Sequence, residues 1–183
     1  MADCVAASIT IGGIVTEADF ISLCRLIAAE DLSVEEDGDP FSPADWTDGE
    51  PLQLFDHQAI GGQFEALEAW CVQRGLPFVR WCAGYLGGWE PERVVFTGTG
   101  AIETYPATER GNAIATRDTL DLHENLATLR AWFDAAHFEI PPLDILADVG
   151  PMISNITRAS AGQEESGGGG SEHCSQLEKG SAQ

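Results

Sequence analysis

The sequence predicts an α+β fold, in which a mainly antiparallel sheet of about five strands carries three packed helices. Three observations favour this class. Strand and helix patterns alternate in the first half of the 183-residue chain, an antiparallel run of strands follows, and a helix pattern closes the domain. Because 44% of the residues are apolar, the chain can bury a substantial core.

The first strand and the first helix are indicated by adjacent patterns. Residues 8–15 (SITIGGIV) are β-branched and apolar, with an interruption at a Gly-Gly pair. Thr16 follows as an N-cap, with Asp19 three residues later as a variant capping box. Apolar residues then recur at i, i+3, i+4 and i+7, which predicts a helix that ends near Glu30.

A second strand, a second helix and a third strand are predicted for the middle of the chain. Residues 51–56 (PLQLFD) alternate briefly as a strand. Residues 63–74 place apolar side chains on one face of a helix, and Gly75 supplies its C′ position. Residues 76–83 (LPFVRWCA) then have the composition of a buried strand.

Two further strands, a weaker sixth strand and a third helix complete the predicted domain. Residues 93–97 (RVVFT) and 101–105 (AIETY) pair through a Gly-Thr-Gly turn, and residues 112–117 carry a weaker strand pattern. Asp121 and Glu124 form a capping box that opens the closing helix. The apolar face of this helix, which ends near Phe138, consists of Leu122, Leu126, Leu129, Phe133 and Ala136.

We expect residues 1–156 to form a single acidic domain and residues 157–183 to be a flexible Gly/Ser-rich tail. Apolar periodicity stops near Thr157, and the chain then reaches four consecutive glycines and a serine. Residues 1–156 hold 26 acidic and 7 basic residues, a net charge of −19. The charge therefore belongs to the domain.

The most unusual feature of the chain is a run of acidic residues without a basic one. Between Leu26 and Gln73 there are twelve Asp or Glu residues and no Lys or Arg. Nine of them lie between residues 30 and 50: Glu30, Asp31, Glu35, Glu36, Asp37, Asp39, Asp45, Asp48 and Glu50. Prolines and glycines interrupt this stretch, so most of residues 31–50 is predicted to be a loop. Loops of this length are uncommon unless they are functional or disordered.

Composition excludes several function classes. A formal charge of −21 opposes unaided binding to nucleic acid or to anionic lipid, because both require cations that meet phosphates. No apolar run approaches the roughly 18 residues of a membrane span. The N-terminus lacks a basic segment, so no secretory signal is expected. Five scattered cysteines favour a reducing compartment, and we predict a cytoplasmic protein.

Metal and cofactor motifs are not convincing. If Gly38 takes the sixth position of a calcium loop, Ala44 falls at the twelfth, where a bidentate Glu is needed. His123 and His137 would lie about 21 Å apart on one helix, so they cannot share an ion. A His-Cys pair in the tail lacks a second pair of ligands. We therefore expect no metal and no cofactor.

A small enzyme is the main alternative to a binding function. Cys71 or Cys82 could be a nucleophile with His57, or with Asp56 orienting that imidazole, and a carboxylate pair could act as acid and base. Both cysteines lie at apolar positions of predicted elements, where a small buried thiol is the common outcome. No catalytic residue is predicted.

The local density of charge favours protein binding over simple solubility, although surplus charge often serves solubility alone. A domain of roughly 17 kDa exposes on the order of 7,700 Å², so an even net charge of −19 gives about one charge per 400 Å². B-DNA presents about one charge per 110 Å². The nine clustered acids reach that density if they share about 1,000 Å².

We therefore predict a non-enzymatic acidic protein that binds a basic protein surface. Its sharpest form is an inhibitor that mimics nucleic-acid charge and blocks a DNA- or RNA-binding complex, of the anti-restriction or anti-CRISPR type. Phe41 and Trp46 lie among the acids and are candidate anchors for the partner, unless both rings fold back onto the core. A further alternative is an acidic antitoxin or a dedicated chaperone of one basic partner.

Overall fold

A five-stranded antiparallel sheet forms the centre of the fold. The computed structural model describes residues 3–146. Its strands are β1 (Cys4–Ile11), β2 (Gly13–Thr16), β3 (Leu52–Ile60), β4 (Phe78–Cys82), β5 (Glu92–Phe96), β6 (Glu103–Pro106) and β7 (Leu143–Leu146). Its helices are α1 (Glu17–Ala29), α2 (Glu65–Arg74), α3 (Arg117–Leu122) and α4 (Leu126–Ala136), with a 3-10 helix at Pro43–Asp45.

The strand order of the sheet is β3-β1-β4-β5-β6, and every neighbouring pair is antiparallel. The predicted α+β class and the five-stranded sheet are confirmed. A separate parallel pair joins β2 to β7. The sequence pattern missed β7, because four residues after a Pro-Pro pair give too short a signal and the partner strand lies near the other end of the domain.

One face of the sheet is covered by α1 and α2 and holds the main core. Fully buried side chains from both helices meet those of β1, β3 and β4. From the helices these are Leu23, Ile27, Leu67 and Cys71, and from the strands Ile9, Ile11, Leu54 and Phe78. Burial of this apolar surface is the main favourable contribution to folding.

The opposite face is covered in part by α4. Trp132 and Phe133 of this helix pack against a smaller buried cluster that includes Val79, Val95 and Tyr105. The Trp132 and Tyr105 rings meet edge to face, with 5.2 Å between their centroids. Helix α4 packs on β5, so it does not cover the part of this face that β3 and β1 form.

The predicted N-cap of the first helix and the predicted C-terminal glycine of the second are confirmed, although α2 begins at Glu65, two residues after its predicted start. The Thr16 side chain caps α1 by accepting a hydrogen bond from the Asp19 backbone N–H (3.1 Å). Gly75 ends α2 in the left-handed region at φ 65°, where glycine carries no Cβ penalty. Strand β3 continues to Ile60, four residues beyond its predicted end.

The predicted third helix at 121–138 is wrong in its N-terminal part, because the chain forms two helices there. Thr116 caps α3 and Asn125 caps α4, so the proposed capping box of Asp121 and Glu124 does not form. His123 has extended backbone (φ −108°, ψ 115°), which ends α3.

The predicted apolar face of that helix is also only partly buried. Leu122 is 81% exposed and Leu126 is 60% exposed, whereas Ala136 is fully buried. The strand predicted at residues 112–117 is absent as well. Ala113 makes a single bridge to Ala107, and Thr116 then opens a helix. Local capping outweighed the weak strand pattern.

The domain boundary remains a prediction. The first compact unit of the chain spans Met1–Asp148. The predicted tail, residues 157–183, lies outside the described residues, as does the end of the predicted domain at residue 156.

Candidate functional site

The acidic loop, defined as residues 30–50, is attached to the edge strand β3. Ser33 and Phe55 exchange two backbone hydrogen bonds, with N···O distances of 3.1 and 2.8 Å. The loop therefore adds a bridge to the outside of the sheet at its outermost strand. An exposed edge of this kind is otherwise open to pairing with other chains.

The tip of the acidic loop is closed by further backbone hydrogen bonds. The Phe41 N–H donates to the Leu32 carbonyl (2.7 Å), and the Gly38 N–H donates to the Glu35 carbonyl (3.1 Å). The Ser33 hydroxyl also donates to the Glu35 carbonyl (2.5 Å). These bonds hold the backbone of the most acidic part of the loop in one conformation. The side chains that carry its carboxylates are therefore attached at fixed backbone positions.

The second half of the loop contains the 3-10 helix. The Asp45 carboxylate accepts a hydrogen bond from the Ser42 N–H (2.8 Å), which completes a capping box. Asp45 therefore has a local structural role as well as an exposed position. The prediction that most of residues 31–50 is loop is confirmed outside these three helical residues.

The two aromatic residues of the loop fold toward the core. Phe41 is 8% exposed and belongs to the main core. Trp46 is half-buried and packs on Phe20, with 5.4 Å between the ring centroids. Phe41 is thus not an exposed anchor, which corrects its assignment to a partner-binding surface. Both rings instead fasten the loop to the domain, because each buries apolar area that would otherwise face water.

The nine carboxylates of the loop divide into one that is half-buried and eight that are exposed. Glu30 is half-buried at the end of α1, and burial is the main cause that raises its pKa, with smaller contributions from nearby Asp56, Glu68 and Glu65. The exposed carboxylates belong to Asp31, Glu35, Glu36, Asp37, Asp39, Asp45, Asp48 and Glu50. Eight of the predicted site residues are therefore exposed to solvent within this one loop.

An exposed contact between a histidine and a carboxylate links the loop tip to β3. His57 Nε2 lies 3.1 Å from Asp37 Oδ1, and both side chains are at least half exposed. Solvent screens such a pair, and its contribution to stability is small. It nevertheless places a histidine beside the acidic loop, at the margin of a groove that the sequence did not reveal.

The groove lies over the part of the sheet that α4 leaves uncovered and has a volume of about 460 Å³. Its floor follows one cross-strand row, in which each residue is paired with the next: Phe55, Ser8, Trp81 and Arg93. The row continues to Tyr105 of β6, which is buried against Trp132 of α4. Glu36 and His57 stand at the β3 side of the groove, and Arg110 and His137 also line it.

Trp81 and Arg93 of this floor each make a side-chain hydrogen bond. Trp81 Nε1–H donates to the Thr108 carbonyl (3.0 Å), which holds the turn at residues 108–112 over β4. Arg93 Nε–H donates to the Ala136 carbonyl at the end of α4 (2.7 Å). Burial lowers the pKa of Arg93, since a charged guanidinium loses hydration there.

The thiols do not support the enzymatic alternative. Cys71 is fully buried, and burial raises its pKa to about 12. Cys82 is buried on the core face of β4, and burial also raises its pKa. A nucleophilic thiol needs a lowered pKa and an exposed sulfur, so both residues have the opposite properties. The partners proposed for these thiols make other contacts. His57 contacts Asp37, and Asp56 accepts a hydrogen bond from the Gln58 N–H (2.8 Å).

A buried charged cluster on the core face was also missed by sequence reasoning. Arg80 is 3% exposed and lies between two carboxylates. Its Nε is 2.9 Å from Glu68 Oε1, and its Nη2 is 2.7 Å from Glu92 Oε1. Its Nη1 donates to the Gly62 carbonyl (2.5 Å). Arg80 Nε contacts Glu68 without an aligned hydrogen bond. Burial lowers the pKa of Arg80, but the two carboxylates outweigh it and raise the value.

Other site types find no support within residues 3–146. No group of three His, Cys, Asp or Glu side chains there is arranged to hold a metal ion. In the same range, no helix combines the length and the apolar character that a membrane crossing requires. Comparisons of the chain with protein-family models, characterised proteins and solved structures found no match.

Proposed function

We propose that this protein is a non-enzymatic acidic binding domain that occupies a basic protein surface through its acidic loop. The observation that supports the proposal is the attachment of the loop. Backbone pairing with β3 and the buried Phe41 hold it in place, while eight carboxylates remain exposed. A preorganised array loses less conformational entropy on binding than a disordered segment does.

The charge of the loop defines the chemistry of the partner. Its exposed carboxylates are unaccompanied by Lys or Arg within residues 30–50. A surface rich in Lys and Arg complements such an array and is attracted to it over a distance of about 10 Å at moderate salt. Proteins that bind phosphate backbones carry surfaces of this kind.

The sharper form of the proposal is a nucleic-acid mimic that inhibits a DNA- or RNA-binding complex in the cytoplasm. The loop would then compete with the phosphates for the same Lys and Arg side chains. Free thiols at Cys24, Cys71 and Cys82 suit a reducing compartment. The antitoxin or chaperone alternative differs in one property, since it requires affinity that persists at high salt.

The first experiment tests the class of partner. The full chain is immobilised and tested for binding of purified basic nucleic-acid-binding proteins. The affinity of each complex that forms is then measured by calorimetry at about 50 and 200 mM salt. We expect at least one complex whose affinity falls steeply with salt and which duplex DNA displaces. Binding that neither salt nor DNA changes would contradict the mimic and favour the antitoxin or chaperone.

The second experiment tests the loop itself. Neutralisation of its tip by Glu35→Gln, Glu36→Gln, Asp37→Asn and Asp39→Asn should reduce the affinity at least about tenfold and weaken its salt dependence. The matched control neutralises four exposed carboxylates of the α3–α4 region, at Asp118, Asp121, Glu124 and Asp134. Equal losses in both variants would show that net charge, and not the loop, carries the binding.

A further inference from the structure

The groove brings two arginines together on a strongly acidic chain. Arg93 and Arg110 line it, together with two histidines and three carboxylates: His57, His137, Glu36, Asp56 and Glu109. Among residues 3–146, Arg74 and Arg80 pair with carboxylates, whereas neither Arg93 nor Arg110 has one within 4.0 Å. Since the full chain has 30 acidic and 9 basic residues, two arginines that line one cavity, neither of them in a salt bridge with its carboxylates, are unexpected.

Arg93 is the stronger of the two indications. It lies half-buried on β5, and the Ala136 carbonyl is the one hydrogen-bond partner of its side chain among the described residues. That bond uses Nε and leaves the two terminal nitrogens available to an acceptor. A partly desolvated cation without a counter-charge is costly, and an anion in the groove would offset that cost.

The turn that carries Arg110 is anchored to Trp81, the neighbour of Arg93 in the sheet. Trp81, the cross-strand partner of Arg93, holds the Thr108 carbonyl with its indole N–H. The Arg110 N–H donates to the Thr108 hydroxyl (3.2 Å), and the Arg110 side chain lines the groove. Both arginines therefore flank Trp81, Arg93 as its cross-strand partner and Arg110 in the turn that its indole holds.

We propose that this groove binds a small molecule through its carboxylate or phosphate group, which lies between Arg93 and Arg110. The rest of the ligand extends along the cross-strand row toward Ser8. Two strand spacings separate Ser8 from Arg93, about 10 Å, so the row suits a ligand of metabolite size. Hydroxyl and amide side chains of Ser8, Thr10 and Gln53 offer hydrogen bonds at the far end. The evidence for this site does not depend on the acidic-loop function, although Glu36 of the loop also lines the groove.

The test is a titration followed by ¹H–¹⁵N NMR, with inorganic phosphate, phenyl phosphate and benzoate as anionic probes and benzylamine as a cationic control. The net charge of the chain repels anions, so saturable anion binding requires a local site. We expect saturating shifts at the amides of Ser8, Trp81, Arg93 and Gly111, and none there with benzylamine. Phenyl phosphate and benzoate then show which oxyanion is preferred.

Two variants connect the shifts to the arginines. Arg110→Gln lies in an exposed turn, so the fold should persist, and we expect affinity for the best probe to fall about tenfold. The matched control is Arg130→Gln on the exposed surface of α4, which should leave affinity unchanged. The proposal is overturned if no anionic probe saturates below about 20 mM, if the shifts lie elsewhere, or if both variants bind alike.

Discussion

The two faces of the five-stranded sheet come from alternate residues of the same strands, yet they differ in composition and in cover. On β1, Val5, Ala7, Ile9 and Ile11 are buried on the face covered by α1 and α2, whereas Ala6, Ser8 and Thr10 are half-buried on the other face. The first face contains the main core, and the second is shared between α4 and the groove.

The difference teaches where stability and binding are located in this fold. Residues of the covered face are fixed by packing, so substitution there should cost stability. Residues of the groove face have room and polar groups, so substitution there should cost little stability and affect ligand binding instead. The following predictions test this division, beginning with the largest expected effect.

Arg80→Ala should produce the largest loss. The substitution leaves Glu68 and Glu92 without their shared cation on the covered face, and it removes the donor to Gly62. We expect the free energy of unfolding to fall by about 3–5 kcal/mol, measured by urea denaturation. Exposed Arg130→Ala is the control and should change it by about 0.5 kcal/mol or less. Similar values for both variants would mean that the buried cluster is not structural.

Ile9→Ala and Thr10→Ala compare adjacent residues that point to opposite faces. Ile9 is fully buried in the core, so its truncation should cost about 2–5 kcal/mol. Thr10 lines the groove, and its truncation should cost about 0.5 kcal/mol or less. Equal destabilisation of the two variants in urea would contradict the division between the faces.

Trp81→Phe removes one hydrogen bond from the floor of the groove. Loss of the bond to the Thr108 carbonyl should reduce stability by about 1 kcal/mol and speed hydrogen exchange at the Gly111 amide. Trp89→Phe is the matched control, because its indole N–H donates to the Ala83 carbonyl outside the groove. If Trp89→Phe accelerates exchange at Gly111 equally, Trp81 does not anchor the turn.

Glu30→Gln should have the smallest effect, and it should depend on pH. Because the folded-state pKa of Glu30 is raised above its ordinary value of 4.5, its ionisation opposes folding; the loss of stability begins as the pH rises above about 4.5 and is complete once the pH exceeds the folded-state pKa. At pH 7 the substitution should therefore raise the Tm by about 1–2 °C. Below about pH 4.5 the carboxyl is protonated in both states, and the gain should disappear. An equal gain at both pH values would contradict this origin.

Sequence patterns located elements whose signals are local. The Thr16 cap and the apolar stripe that follows it predict α1, and residues 93–97 predict β5 within one residue. The same reasoning failed at α3 and α4, where the extended backbone of His123 divides one apparent helix into two. A single residue in extended conformation leaves no periodic signal in the sequence.

The sequence by itself determined the α+β class, the position of most strands and helices, and the acidic loop, because periodicity, capping residues and charge counts are local properties. The tertiary structure decided which side chains of the loop and of the sheet are exposed and which lie side by side. It folded Phe41 into the core, attached Ser33 to β3, and aligned Ser8, Trp81 and Arg93 in one row. Pairing register depends on contacts between distant segments, and no local pattern specifies which residues of two strands face each other.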